Sequence, residues 1–200
     1  MRHRNAFCAA AMMAAMSVAM AATAAQSTDG ARQVIKAGSI VEFHASATFT
    51  KVVGVFERWK AELKIPGNNF ENASLRIELE AASVTTGSGL KDKEIKGKKF
   101  FAVEEYPTIQ FVSKSVRAGD EPGKFTMDGE LTMRGITKPV TVMVTVLAEA
   151  GGREWVDGDM SFNRREFGMT HNVPFNKVAD TVSVMMHLEL ASGDAGAAAR

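Results

Sequence analysis

Few side chains in this 200-residue sequence are of a type and spacing that could do chemistry. Beyond the N-terminal leader the histidines are His44, His171 and His187, far apart and without an HxH or HExxH pairing, so no metal centre is expected. His44 is out of phase with Val41 and Phe43, and His187 with Met186 and Leu188, which predicts imidazoles on the outer face of strands. Asp157 and Asp159 stand two apart and share a face, but it is the wetter face, where a carboxylate pair serves solvation. No GxSxG elbow, Walker loop or strand-linked GxGxxG occurs, and the single cysteine, Cys8, cannot build a disulfide framework or a thiolate cluster. No catalytic residue and no cofactor is assigned. Twelve of the fifteen aromatic residues are Phe, which favours dry packing over hydrogen-bonded recognition. The densest charge is Lys91, Lys93, Lys96, Lys98 and Lys99, interspersed with Asp92 and Glu94. These read either as a basic flap able to meet an anionic head group or as a solvated surface turn.

The elements that must position such groups follow from composition and period. With 46% hydrophobic and 24% charged residues the chain is an ordinary globular one. Its 24 basic and 23 acidic residues argue against a polyanion partner, so no nucleic acid is expected. Arg2, His3 and Arg4, then the apolar run Ala6 to Ala22 and the small residues Ala22-Thr23-Ala24, predict a secretory signal peptide over residues 1–24. The run is shorter than the roughly 20 apolar residues that span a bilayer, so the cleaved chain is expected not to cross the membrane. Removal of the leader leaves 22 basic against 23 acidic residues and no cysteine. One domain is expected from Val34 to Ala191, with loose tails at Gln26–Gln33 and at Ser192–Arg200.

Period-two alternation recurs in eight segments of that domain. The inward sets include Phe125, Met127, Gly129, Leu131 and Met133; Leu75, Ile77, Leu79 and Ala81; Val156, Gly158, Met160 and Phe162; and Val182, Val184, Met186, Leu188 and Leu190. Val41 with Phe43 and Ile109 with Phe111 mark two more, and Val140 to Leu147 is apolar on nearly both faces. The apolar parity changes between Phe56 and Ala61, which predicts a bulge or sharp bend near Arg58. Turn residues separate the segments, so consecutive antiparallel hairpins are expected. Eight such strands leave long edges unless the sheet closes, so the predicted fold is all-β, an eight-stranded up-and-down barrel, with a two-sheet sandwich as the alternative. The non-alternating stretch Gly87 to Tyr106 predicts a short helix or lid between the third and fourth strands.

Several longer blocks resemble one family. Asp92-Lys93-Glu94-Ile95, the run Phe100 to Phe111, the run Gly129 to Val140 and Asn163-Arg164-Arg165-Glu166-Phe167-Gly168-Met169 resemble the signature of the YceI family, in family order. Gly54-Val55-Phe56 and Ala82 to Gly87 are also similar, and the resemblance covers about Val34 to Leu190. It implies a lipocalin-like barrel exported to the bacterial periplasm that binds long polyisoprenoid or related amphiphilic lipids. The opening strand departs from the family pattern, with Ala45-Ser46-Ala47-Thr48 in place of a His-Met-Gly type of segment.

A prenyl tail gains about 0.8 kcal/mol for each buried CH₂-sized unit, so a protein sleeve is a physical means of carrying it through water. The expected lining is Val41, Phe43, Phe56, Leu75, Ile77, Phe111, Met127, Leu131, Met160, Phe162, Val184 and Met186. The alternative for the same residues is a filled core, as in many small barrels. For a phosphate-like or quinone-like head group the candidates are Asn163, Arg164, Arg134 and His171, since a guanidinium holds phosphate bidentately. The competing role for Arg164 and Asn163 is to bond turn carbonyls at a strand end, and Phe167 is expected to plug one barrel end. The resulting expectation is a periplasmic carrier of a polyisoprenoid or prenyl-quinone-like lipid, not an enzyme, with homodimerisation as a further expectation. Two other classes stay open: an exported enzyme using His171 or Glu166 on a barrel-bound lipid, and a stress-related protein-interaction module.

Overall fold

The computed structural model of the chain describes residues 30–148, 154–172 and 176–191. The leader at residues 1–24, Cys8, the Gly151-Gly152 turn and the tail Ser192–Arg200 lie outside the described residues. The elements are β1 (Ala31–Arg32), β2 (Val34–Ala47), β3 (Thr50–Phe56), β4 (Trp59–Lys64), β5 (Ser74–Glu80), β6 (Val84–Thr85), α1 (Gly89–Lys96), β7 (Thr108–Ala118), β8 (Lys124–Met133), β9 (Ile136–Ala148), β10 (Glu154–Asn163) and β11 (Thr181–Leu190).

All strands join one antiparallel sheet in the order β1-β4-β5-β7-β8-β9-β10-β11-β2-β3-β6. The parity change seen in the sequence falls at Glu57–Arg58, where the chain turns out of β3 and into β4. These two arms of a bent strand pair with different neighbours, β3 with β2 and β4 with β5. Counted as one, they bring the strands longer than two residues to the expected eight, and their continuity links the two ends of the curled ladder. The two-residue β1 and β6 are additions that the alternation could not reveal, each too short to show a period. β1 also corrects the expected looseness of Gln26–Gln33 at its described end. Ala31 and Arg32 pair with β4, the Gly30 carbonyl accepts from Ile65 N at 2.6 Å, and the Gln33 carbonyl accepts from Ala191 N at 2.9 Å.

Side-chain chemistry fixes the corners. Arg58 donates to both carboxylate oxygens of Glu80 at 2.7 Å each, while the buried Ser83 hydroxyl bonds the Glu80 and Arg58 carbonyls. That contact raises the Arg58 pKa and lowers that of Glu80. Between β8 and β9, Arg134 and Gly135 take φ values of 53° and 70°, the left-handed pair that a two-residue hairpin matched to sheet twist requires. Register shifts between Ser113 and Ser115 and between His187 and Glu189 add local bends.

The inward sets read from the sequence face the interior. Leu75, Ile77, Leu79 and Ala81 are all buried, as are Val182, Val184, Met186, Leu188 and Leu190. Among the β9 residues whose burial is described, only Val142 and Val144 are buried, and Met143 and Leu147 stand exposed outside. His44 and His187 lie on the outer face, bonded to Glu42 at 2.7 Å and to Asp157 at 2.5 Å.

Candidate functional site

The interior is divided along the barrel axis. In one half, Leu75, Met127, Val142, Val156 and Met186 meet across the barrel and leave only about 20 Å³. Phe111 packs in the same region against Gly129, where a Cβ would overlap its ring. In the other half the side chains leave a cavity of about 250 Å³. Six of the expected tail contacts, Phe43, Phe56, Leu131, Met160, Phe162 and Val184, line it. The other six, Val41, Leu75, Ile77, Phe111, Met127 and Met186, do not; their expected contact with ligand gives way to core packing. Strand alternation reports the direction of a side chain and not its height along the axis, so the two sets look alike in sequence.

One wall is an aromatic cluster. Phe43 lies 6.1 Å from Phe56 and 5.8 Å, edge-on, from Phe101, and Phe56 lies 5.9 Å from Phe101. Phe43 fits because its cross-strand partner is Gly54, where a Cβ would overlap the ring. Leu79, Ile109, Met133 and Val182, which share the inward parity of the expected lining but lie outside that set, also line the cavity. Ala45, Ser46 and Ala47, the departure from the family pattern, line it as well, and their small side chains leave it wide.

α1 and the turn after it cover this half. Lys91, Glu94 and Ile95, at i, i+3 and i+4 on one helix face, reach the cavity with Phe100 and Phe101. Two polar clamps hold the cover. Asp92 accepts from Thr86 N at 2.7 Å, Thr86 Oγ1 at 2.6 Å and Thr85 Oγ1 at 3.1 Å, and these donors pull its pKa down. Arg134 donates to the Lys98 carbonyl at 3.0 Å and to the Phe100 carbonyl, and its guanidinium stacks over Tyr106.

The candidate head-group residues do not converge. Arg164 is only 2% exposed and lines the cavity, but every guanidinium N–H already has a protein acceptor. Nε donates to the Ala179 carbonyl at 2.9 Å, and Nη1 to the Met169 carbonyl and, at 3.0 Å, to the His171 carbonyl. Nη2 faces the Val178 carbonyl, Asn172 and Asp180 at 3.0 to 3.2 Å. Desolvation lowers the Arg164 pKa, against the opposing pull of Asp180. With no donor left over, Arg164 takes the competing role, bonding carbonyls of the segment that returns to β11, and not the head-group role. Asn163 is likewise occupied, accepting from Arg165 N at 3.0 Å as the cap of the short 3₁₀ turn Arg164–Phe167, and it lies away from the cavity. Arg134 is spent on the cover. His171 sits behind Phe100, edge-on at 6.1 Å, with Lys99 Nζ at 3.4 Å, and neither it nor the exposed Glu166 lines the cavity. Phe167 is fully buried, edge-on to Phe162. The polar groups that do line the cavity, besides Arg164, are Ser46 and Thr50 from the ends of β2 and β3, Asn176 from the segment before β11, and Lys91 and Glu94 from α1. Chemically this is a greasy chamber with a mixed-charge, hydroxyl- and amide-bearing border.

Comparison with known proteins gives consistent likenesses. The model of the YceI-like domain family matches residues 33–190. A UPF0312 protein of Pseudomonas fluorescens is 32% identical over 169 residues, spanning 78% of this chain and 85% of that one. The crystal structure of Burkholderia cenocepacia BcnA superposes with a TM-score of 0.71 at 27% identity, covering 80% of this chain and all of that one. A polyisoprenoid binding domain from Saccharophagus degradans, implicated in plant cell wall breakdown, shares the fold with a TM-score of 0.59 at 14% identity, covering 81% and 97% of the two chains.

Proposed function

The chain belongs to the YceI-like family, and from that premise we propose that it binds an isoprenoid or similar amphiphilic lipid with the tail inside the barrel. The observation that carries this reading is the cavity of about 250 Å³ bounded by Phe, Leu, Val and Met side chains under the α1 cover. It exceeds the roughly 150 Å³ of an apolar cavity that admits benzene, and at about 0.8 kcal/mol per CH₂-sized unit a bound tail segment gains several kcal/mol. The polyisoprenoid binding of the Saccharophagus domain, which shares this fold, supports the same ligand class.

The protein acts as a carrier, without chemistry of its own, in the periplasm after loss of residues 1–24. Supporting the first point, Arg164 has its donors engaged and the other ionisable groups at the chamber, Lys91 and Glu94, belong to a surface helix. Because the border is hydroxyl, amide and one charge of each sign, a neutral head such as a quinone fits it at least as well as a phosphate. Native mass spectrometry and organic extraction of protein purified from its own periplasm test the proposal: a co-purifying prenyl lipid is expected. Lipid-free protein that also takes up neither prenyl quinones nor prenyl phosphates would falsify it.

A further inference from the structure

The surface changes character around the cavity mouth. Phe49, in the turn between β2 and β3, is 78% exposed, and Leu90, the second residue of α1, is 86% exposed. They are the two most exposed large apolar side chains among the described residues. Both adjoin the chamber: Ala47 and Thr50 flank the Phe49 turn, Lys91 follows Leu90, and all three line the cavity. Glu94, also lining it, is one helical turn from Leu90 on the same stripe. Asn176 holds the Phe49 turn in place, its Oδ1 accepting from Phe49 N at 3.2 Å.

The charge of these segments is mainly positive. Lys51, Lys91, Lys93 and Lys177 are exposed and form no ion pair among the described residues. The acids beside them are Glu94, Asp92, whose carboxylate is turned to Thr85 and Thr86, and Asp180, which faces Lys177 and is bonded by Arg165, so the lysines outnumber them. A scattered exposed Leu or Phe needs no explanation, but two apolar prongs on separate segments, at the door of a greasy chamber and among free lysines, match an interfacial membrane anchor.

We propose that this rim is a bilayer-docking surface. Phe49 and Leu90 enter the boundary between head groups and acyl chains, the lysines meet anionic phospholipid head groups, and the mouth opens onto the source of its ligand. The inference rests on the reading of the cavity as a lipid site, and it adds the route by which a tail enters without crossing water.

The test is co-sedimentation of the protein with phosphatidylcholine vesicles and with vesicles that also contain phosphatidylglycerol. Binding to the anionic vesicles is expected, weakened by salt. The Phe49→Ser, Leu90→Ser double variant should bind about tenfold less tightly or worse. Met143→Ser with Met185→Ser, which removes exposed apolar groups on the outer face of β9 and β11 that do not line the cavity, should leave binding intact. Absence of vesicle binding by the unsubstituted protein, full binding by the Phe49/Leu90 variant, or an equal loss in the Met143/Met185 variant overturns the proposal. Uptake of a fluorescent prenyl probe from detergent-free solution separates the two readings. It persists in the Phe49/Leu90 variant if docking alone is lost, and it is missing from the unsubstituted protein if the cavity reading fails.

Discussion

Arg164 shows how one residue type leaves two roles open in a sequence, a phosphate ligand or a partner of turn carbonyls. The structure has the second, for its five N–H groups close on backbone carbonyls and side chains between Met169 and Asp180. Removing it leaves several acceptors unpaired, so Arg164→Ala should destabilise the fold by about 3 kcal/mol or more in urea unfolding. Arg164→Lys should rescue little, because an ammonium lacks the planar fork. Lost lipid uptake at undiminished stability would instead return Arg164 to the head group. Gly54 carries the opposite lesson, a residue with no chemistry that shapes the site. A Cβ there displaces the Phe43 ring, so Gly54→Val should lower prenyl-probe affinity and cost about 1–3 kcal/mol of stability. Equal affinity in a folded variant would show that the ring does not bound the ligand space.

At the scale of elements, the bend at Glu57–Arg58 and the cover formed by α1 matter most. The bend was legible because a parity change has one cheap explanation in a strand, an interruption that turns it over. The cover was legible as a break in alternation, but its fastening was not, since Asp92 and Thr86 are six residues apart and meet only through the loop between them. The hydrogen bonds from Thr86 and Thr85 hold the Asp92 carboxyl below its ordinary pKa. Its contribution is therefore complete above the unfolded carboxyl value of about 3.9 and lost as pH falls through the depressed folded value. Protection of the Thr86 amide, its exchange relative to the unstructured rate at the same pH, should fall over that acid range in the unsubstituted protein. Asp92→Asn should lower that protection already at pH 7 and remove its acid dependence; equal, high protection at every pH in both would show that Asp92 does not fasten the cover.

For the whole molecule, the decisive feature is an interior filled in one half and open in the other. The halves should respond differently to substitution. Leu131→Trp occupies the chamber and should reduce prenyl-probe affinity about tenfold in a protein that still folds, read by probe titration beside circular dichroism. Met127→Ala, in the filled half, should cost about 2–5 kcal/mol of stability and leave the affinity of the folded fraction unchanged. The reverse pattern would place the ligand at the other end. Sequence alone determined the eight longer strands, counted with the bent pair as one, their antiparallel order, the bend and the inward faces, because each depends on a period of two or on local turn chemistry. Family blocks in the chain pointed to the ligand class. Only the tertiary structure decided which half stays open, which of the inward residues line the cavity, and that Arg164 is already bound. Those outcomes depend on how side chains from strands distant in sequence fill the same height of the barrel, a sum of volumes across the axis that no single segment encodes.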